Sequence, residues 1–188
     1  MAESTDSKTG LAALAEAATQ APGRGLPPVH LWNPPHCGDI DIVIRRDGTW
    51  LHENSPIGRA ELVRLFSTVL RKDPDGYCLV TPVEKLAIRV DDLPFRAVAV
   101  TEAGGSLRFT TDVGDVVEAG PEHSIEVETD PVTGEPSPAL HVRADLWARI
   151  ARPIFYELVE RASVEDGRLT VRSGGSAFPL GPVGAGVA

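Results

Sequence analysis

The chain has 188 residues, 42% of them hydrophobic and 24% charged, with a formal net charge of −9. That length buries a proper core, in one domain or in two small ones sharing an interface. Two cysteines, Cys37 and Cys78, are too few for a disulfide framework, the longest apolar runs fall far short of the roughly 20 residues that cross a bilayer, and the N-terminus lacks the layout of a signal peptide. The expected setting is a reducing cytoplasm with no membrane insertion.

Residues 1–28 read as a tail, or as a short helix at Leu11–Glu16 if something packs on it. The prolines at 27–28 and 34–35 lead as extended chain into a first strand. Ile40, Ile42 and Ile44 alternate with Asp41 and Val43, Arg46-Asp47-Gly48-Thr49 reads as a hairpin turn, and Trp50 starts the return strand. Ser55-Pro56 has the form of an N-cap followed by proline at the first helical position, which predicts a helix to about Arg71. Asp73-Pro74-Asp75-Gly76 stops it, and Tyr77–Val80 and Ile88–Val90 read as strands.

The second half is strand-rich, with turns at 103–105, 114–115, 120–121 and 131–134. Leu107/Phe109 and Ile125/Val127 alternate with polar neighbours, which predicts an antiparallel sheet with one wet face. A second helix is expected from about Leu146 to Ala162, N-capped by Asp145 and kinked or split by Pro153. Within this reading the chain repeats one order of elements: hairpin, amphipathic helix, Asp-Gly turn, strand. Leu62, Val63, Phe66 and Leu70 precede Asp75-Gly76, as Ile154, Phe155, Leu158 and Ala162 precede Asp166-Gly167. The expected fold class is therefore α+β, a duplicated antiparallel sheet-plus-helix unit. Its parts are a tail (1–28), a first repeat (29–92), a larger β-rich second repeat (93–181) and a mobile end (182–188). A seam between such copies is a natural place for a ligand.

Charge is unevenly shared. Residues 29–91 hold 9 acids and 8 bases, and residues 92–188 hold 15 acids and 8 bases, all arginine. No Lys or Arg lies between Phe109 and Val142, where eight acids fall. Such a stretch repels a phosphate backbone and argues against nucleic acid as a partner. It reads as a solvated sheet face.

His36, Cys37, Asp39 and Asp41 invite a metal reading. Structural zinc needs paired ligand spacings, though, and a strand sends alternate side chains to opposite faces, so a turn feeding a strand is the better account. Neither a nucleophile elbow nor a P-loop or dinucleotide glycine pattern occurs, so no cofactor is expected. Cys78 lies in an apolar strand and reads as packing. Ser173-Gly174-Gly175 reads as an anion nest or as a bulged connection between strands. Thr81-Pro82-Val83-Glu84-Lys85 reads as an edge or bulge that either turns Glu84 and Lys85 into a groove or leaves them a solvated pair. Arg149, Arg152 and Tyr156 share one face of the expected second helix, with Arg143 just before it. Guanidinium forks and a phenol suit a phosphate or carboxylate, and in an acidic half they suit an ion-pair network as well.

The segments SPIGR (55–59), LVRLF (62–66), DGY (75–77), TPVEK (81–85), PF (94–95), VGD (113–115), HVR (141–143), FYELV (155–159) and SGG (173–175) resemble, in the same order, the bacterial domain-of-unknown-function 1285 family over roughly residues 31–181. The resemblance implies a duplicated α+β architecture whose C-terminal half is loosely like a pleckstrin-homology barrel. It also implies a cleft for a nucleotide-like ligand and a role in signalling, and it brings no activity.

The candidate ligand-binding residues are Arg59, Thr81, Glu84, Lys85, Phe95, Arg143, Arg149, Arg152, Tyr156 and Ser173. The leading expectation is a non-enzymatic module that takes a small anion. A protein-interaction scaffold using the acidic sheet, and a hydrolase or transferase with dispersed carboxylates, stay open beside it.

Overall fold

The alanine-rich start of the chain forms a helix, α1 (Ser4–Thr19), because Leu14 and Ala18 find an apolar surface and become buried. The computed structural model describes residues 4–19 and 26–184. After a short 3-10 turn (Val29–Leu31), the alternating isoleucines build β1 (His36–Ile44), in which Ile42, Val43 and Ile44 are all buried. Gly48 takes the positive φ of 88° that the turn requires, and the Asp47 carboxylate accepts the Thr49 N–H at 2.9 Å. β2 (Trp50–His52) and β3 (Ser55–Pro56) complete a three-stranded meander.

Ser55-Pro56 is therefore strand, contrary to the helix start read from sequence. The Ile57 N–H bonds the Trp50 carbonyl at 2.8 Å and keeps the chain in the ladder past the proline. The helix α2 (Ala60–Thr68) begins later, after an extended Arg59, and lies against α1. It also ends before Arg71. Residues Leu70–Asp73 form β4, pairing with β5 (Gly76–Val80), which pairs with β6 (Glu84–Val90). A strand partner for Leu70, which is opposite Leu79, outcompetes another helical turn.

The sheet runs β3-β2-β1-β6-β5-β4. Two antiparallel meanders meet at its centre, where β1 and β6 are parallel. A parallel pair needs a long crossover, and the chain from β2 through α2 to β5 supplies it. Between Asp39 and Val43 the β1–β6 register shifts.

The second unit begins at Leu93, the chain dividing after Asp92. β7 (Phe95–Ala103), β8 (Ser106–Thr111) and β9 (Val116–Glu118) make one meander. β10 (Ile125–Thr129), β11 (Pro136–Arg143) and β12 (Leu146–Ile150) make another. The sheet runs β10-β11-β12-β7-β8-β9, with β12 and β7 parallel. Both six-stranded sheets are thus mixed, and the expectation of purely antiparallel pairing fails at the central pair of each. Hydropathy alternation reports which face is wet and leaves strand direction undetermined.

The second helix, α3 (Arg152–Arg161), is preceded by an extended Ala151 at its N-cap, and Pro153 sits in its first turn. Proline there loses no hydrogen bond, so the helix neither kinks nor splits. Residues 146–150, expected as helix, are strand, and Asp145 caps nothing. Leu146, Ala148 and Ile150 are buried alternately with Trp147 and Arg149, the period-2 pattern of a sheet. After α3, β13 (Ser163–Glu165), β14 (Arg168–Ser173) and β15 (Ser176–Pro182) form a separate three-stranded antiparallel sheet. Within this unit Phe95, Phe109, Leu140 and Ile150 are buried together with Leu158 of α3 and Val171, Phe178 and Leu180 of the small sheet.

The repeat is present at the level of the sheets: each unit joins two meanders through a parallel central pair. The helices are not equivalent in it. α2 lies between the meanders of the first sheet, whereas α3 follows both meanders of the second. The shared chain order of helix, Asp-Gly hairpin and strand is real, but β13 and β14 leave the main sheet while β4 and β5 join theirs.

Candidate ligand-binding residues

In the first unit, Arg59 is an exposed residue at the N-cap of α2. Thr81 is fully buried and serves the turn between β5 and β6, where its hydroxyl oxygen accepts the Glu84 N–H at 3.2 Å. Pro82 sits in that turn and not within a strand. Lys85 stays in the ladder, opposite Val80 on one side and Cys37 on the other.

The partners of the Lys85 ammonium are aspartates two strands away. Nζ lies 2.9 Å from Asp73 Oδ2 and 3.7 Å from Asp75. Asp73 also takes the Arg71 fork, Nε at 2.6 Å and Nη2 at 2.8 Å, and Arg71 Nη1 donates to the carbonyls of Val29 and Trp32, both at 2.8 Å. The Arg71 hydrogen bond, seconded by Lys85, holds the Asp73 carboxyl down at about 2. Burial pushes the neighbouring Cys78 thiol up to about 11, as suits a packed and inert cysteine. The cluster ties the chain entry to the sheet edge, and Lys85 belongs to that wiring.

In the second unit the structure joins Phe95 and Arg143. Phe95 is fully buried, and the Arg143 guanidinium lies 5.0 Å from its ring centroid while pairing with Asp115 in the β8–β9 turn. A bulge between His141 and Arg143 sets this direction. Ser173 is buried and structural. Its hydroxyl donates to the Ala119 carbonyl at 2.7 Å and accepts the Leu107 N–H at 2.7 Å. The Gly174 N–H goes to the Gly105 carbonyl at 3.3 Å, which makes Ser173–Gly175 a turn clamped inside its own unit. Arg152 pairs with Glu135 at 2.7 Å, and Tyr156 is 54% exposed on α3.

Arg149 is on a strand, so it shares no helical face with Arg152 and Tyr156. It stands on β12 directly opposite Arg96 of β7, on the face of the sheet away from buried Ala148 and Phe95. Arg149 Nη1 donates to the Pro138 carbonyl at 3.3 Å, and the backbone N–H of Arg96 bonds the Asp112 carboxylate at 3.0 Å. Two positions before Arg149, half-buried Trp147 lies on the same face, opposite His141. Sequence reasoning missed Arg96, Trp147 and His141. The alternation L-W-A-R-I was the signal that placed Trp147 and Arg149 together on one strand face.

Among the described residues no group of three or more His, Cys, Asp or Glu is placed to hold a metal ion. A shallow groove of about 320 Å³ over the β1–β6 register shift is lined by Asp39, Ile40, Asp41, Ala87, Ile88 and Arg89, with Arg89 and Asp41 paired at 2.8 Å. No described helix is long and apolar enough to cross a membrane.

Two mixed six-stranded sheets of one strand order, with few helices, define an α+β protein assembled from similar sheet units. The chain belongs to the DUF1285 family: residues 27–93 match the N-terminal domain of that family of unknown function, and residues 94–180 match its C-terminal domain. It is similar to the crystal structure of a DUF1285 family protein from Silicibacter pomeroyi DSS-3, with 50% identity and a TM-score of 0.82 over 90% of this chain and 95% of that one. A DUF1285 family protein from Shewanella baltica OS155 is 25% identical with a TM-score of 0.52, over 63% of this chain and 90% of that one. No curated protein matches the chain.

Proposed function

We propose that the chain is a binding or sensing protein for a small anionic molecule, held on the outer face of the second unit's main sheet. The observation that carries this reading is the registration of Arg96 opposite Arg149 on the two central strands. Two guanidinium-bearing side chains on one sheet face offer an oxyanion charge-assisted hydrogen bonds. Trp147 beside them offers a flat apolar wall, so a nucleotide-like molecule, with a ring and a phosphate, fits the face better than a bare ion.

The test is a thermal-shift series with AMP, ATP, phosphate and uncharged adenosine. A bound anion at a hundred times its Kd stabilises the fold by about 2.7 kcal/mol. Arg149→Ala and Arg96→Ala should each weaken binding roughly tenfold or more. The reading falls if no anion shifts the transition, or if binding survives both substitutions unchanged.

A further inference from the structure

The face that carries the two arginines also carries an imidazole between two carbonyl groups. His141 Nδ1 lies 2.8 Å from the Glu122 carbonyl oxygen, and Nε2 lies 2.6 Å from the Ala144 carbonyl oxygen. Carbonyl oxygens only accept. A neutral imidazole has one N–H and satisfies one of them, whereas an imidazolium donates to both. Ala144 has φ of 45°, a left-handed conformation that disfavours a residue with a Cβ, and it reverses β11 into β12. The shorter of the two contacts holds this strained turn.

The ring is stacked on His123, with centroids 5.7 Å apart, and is edge-on to Trp147 at 5.0 Å. The charged and titratable groups around it come from each neighbouring element. The connection before β10 supplies His123 and Glu122. β10 supplies Glu126, bonded by the Ser124 hydroxyl at 3.3 Å, and the turn supplies Asp145. β12 supplies Arg149, and β11 supplies Arg143, which is committed to Asp115.

We propose that His141 is a proton-operated clamp. Protonated on both nitrogens, it ties the Ala144 turn to the 120–123 connection and places a positive charge on the arginine face, so anion binding strengthens as pH falls. The coupling rests on the reading of that face as an anion site; the clamp itself does not.

The experiment uses the full chain and sulfate, whose charge is constant from pH 8 to pH 5, the span over which histidine changes charge. Long-range proton–nitrogen spectra of the histidine rings, with His141 assigned by H141Q, should show both His141 nitrogens protonated at the acid end. Sulfate should bind about two- to fivefold tighter at pH 5.5 than at pH 8, the effect of one added charge several ångströms away in water. H141Q should lose most of that dependence. A single neutral tautomer of His141 down to pH 5 overturns the clamp. An unchanged pH dependence in H141Q overturns the coupling while leaving the anion site standing. No sulfate binding at any pH overturns the anion site and the coupling with it, and the ring spectra still decide the clamp.

Discussion

Arg71 and Asp73 are two residues apart on one edge strand, and a two-pronged ion pair joins them, at 2.6 and 2.8 Å, with side chains 18% and 16% exposed. Such a pair contributes more than a surface ion pair because little water screens it and both carboxylate oxygens are bonded. The Asp73 carboxyl is depressed from 3.8 to about 2. Its stabilisation is therefore fully present above about pH 4 and is lost as pH falls toward 2. That difference corresponds to about 2 kcal/mol. Urea unfolding at pH 7 should show Asp73→Asn destabilised by at least that amount, and the gap from the parent should close between pH 4 and pH 2. A gap that persists at pH 2 would assign the loss to packing.

Gly174 has φ of 54°, and a Cβ there would lie 2.8 Å from the Ala119 carbonyl oxygen. Backbone strain and the clash act together, so Gly174→Ala should cost about 2 kcal/mol or more. Ser173→Ala should cost about 1–3 kcal/mol, since it leaves the buried Leu107 N–H without its acceptor. Neither change should alter the affinity of an anion on the arginine face. Denaturant midpoints and a binding titration check the two halves of this statement.

The cysteines should separate cleanly. Cys37 is exposed, whereas Cys78 is buried with its thiol raised to about 11. A disulfide reagent at pH 8 should titrate one thiol per native chain and two after unfolding. Rapid reaction of both in the native protein would contradict the packing of β5.

Leu14 is fully buried on α1 although the helix is short and alanine-rich. Leu14→Ala should cost about 2–4 kcal/mol. A cost below 0.5 kcal/mol, by the same unfolding measurement, would mean that α1 contributes nothing to the core of its unit.

The turns were the most legible part of the chain, because Asp47-Gly48, Gly104-Gly105 and Asp166-Gly167 each demand a backbone that glycine adopts. Helix boundaries were the least legible. Ser55-Pro56 has the chemistry of a helix start, but the Ile57 N–H is claimed by Trp50 across a ladder that local sequence cannot reveal. Leu146–Ile150 carried a period-2 pattern that the caps around it obscured. The same limit governs the site. Arg143 and Phe95 were both legible as candidates, and their contact depends on a bulge. Arg96 was missed because its meaning lies wholly in its register with Arg149, which is 53 residues away.

The parallel central pair of each sheet constrains how the chain acquires its structure during synthesis. β1 cannot find β6 until the ribosome has delivered residues 84–90, and β7 waits in the same way for residues 146–150. Until then each first meander has an open edge, an invitation to pair with another nascent chain. The last strand to arrive in each sheet is thus the one that shields the first, and a chain cut short before it would expose the apolar edge of β1 or β7.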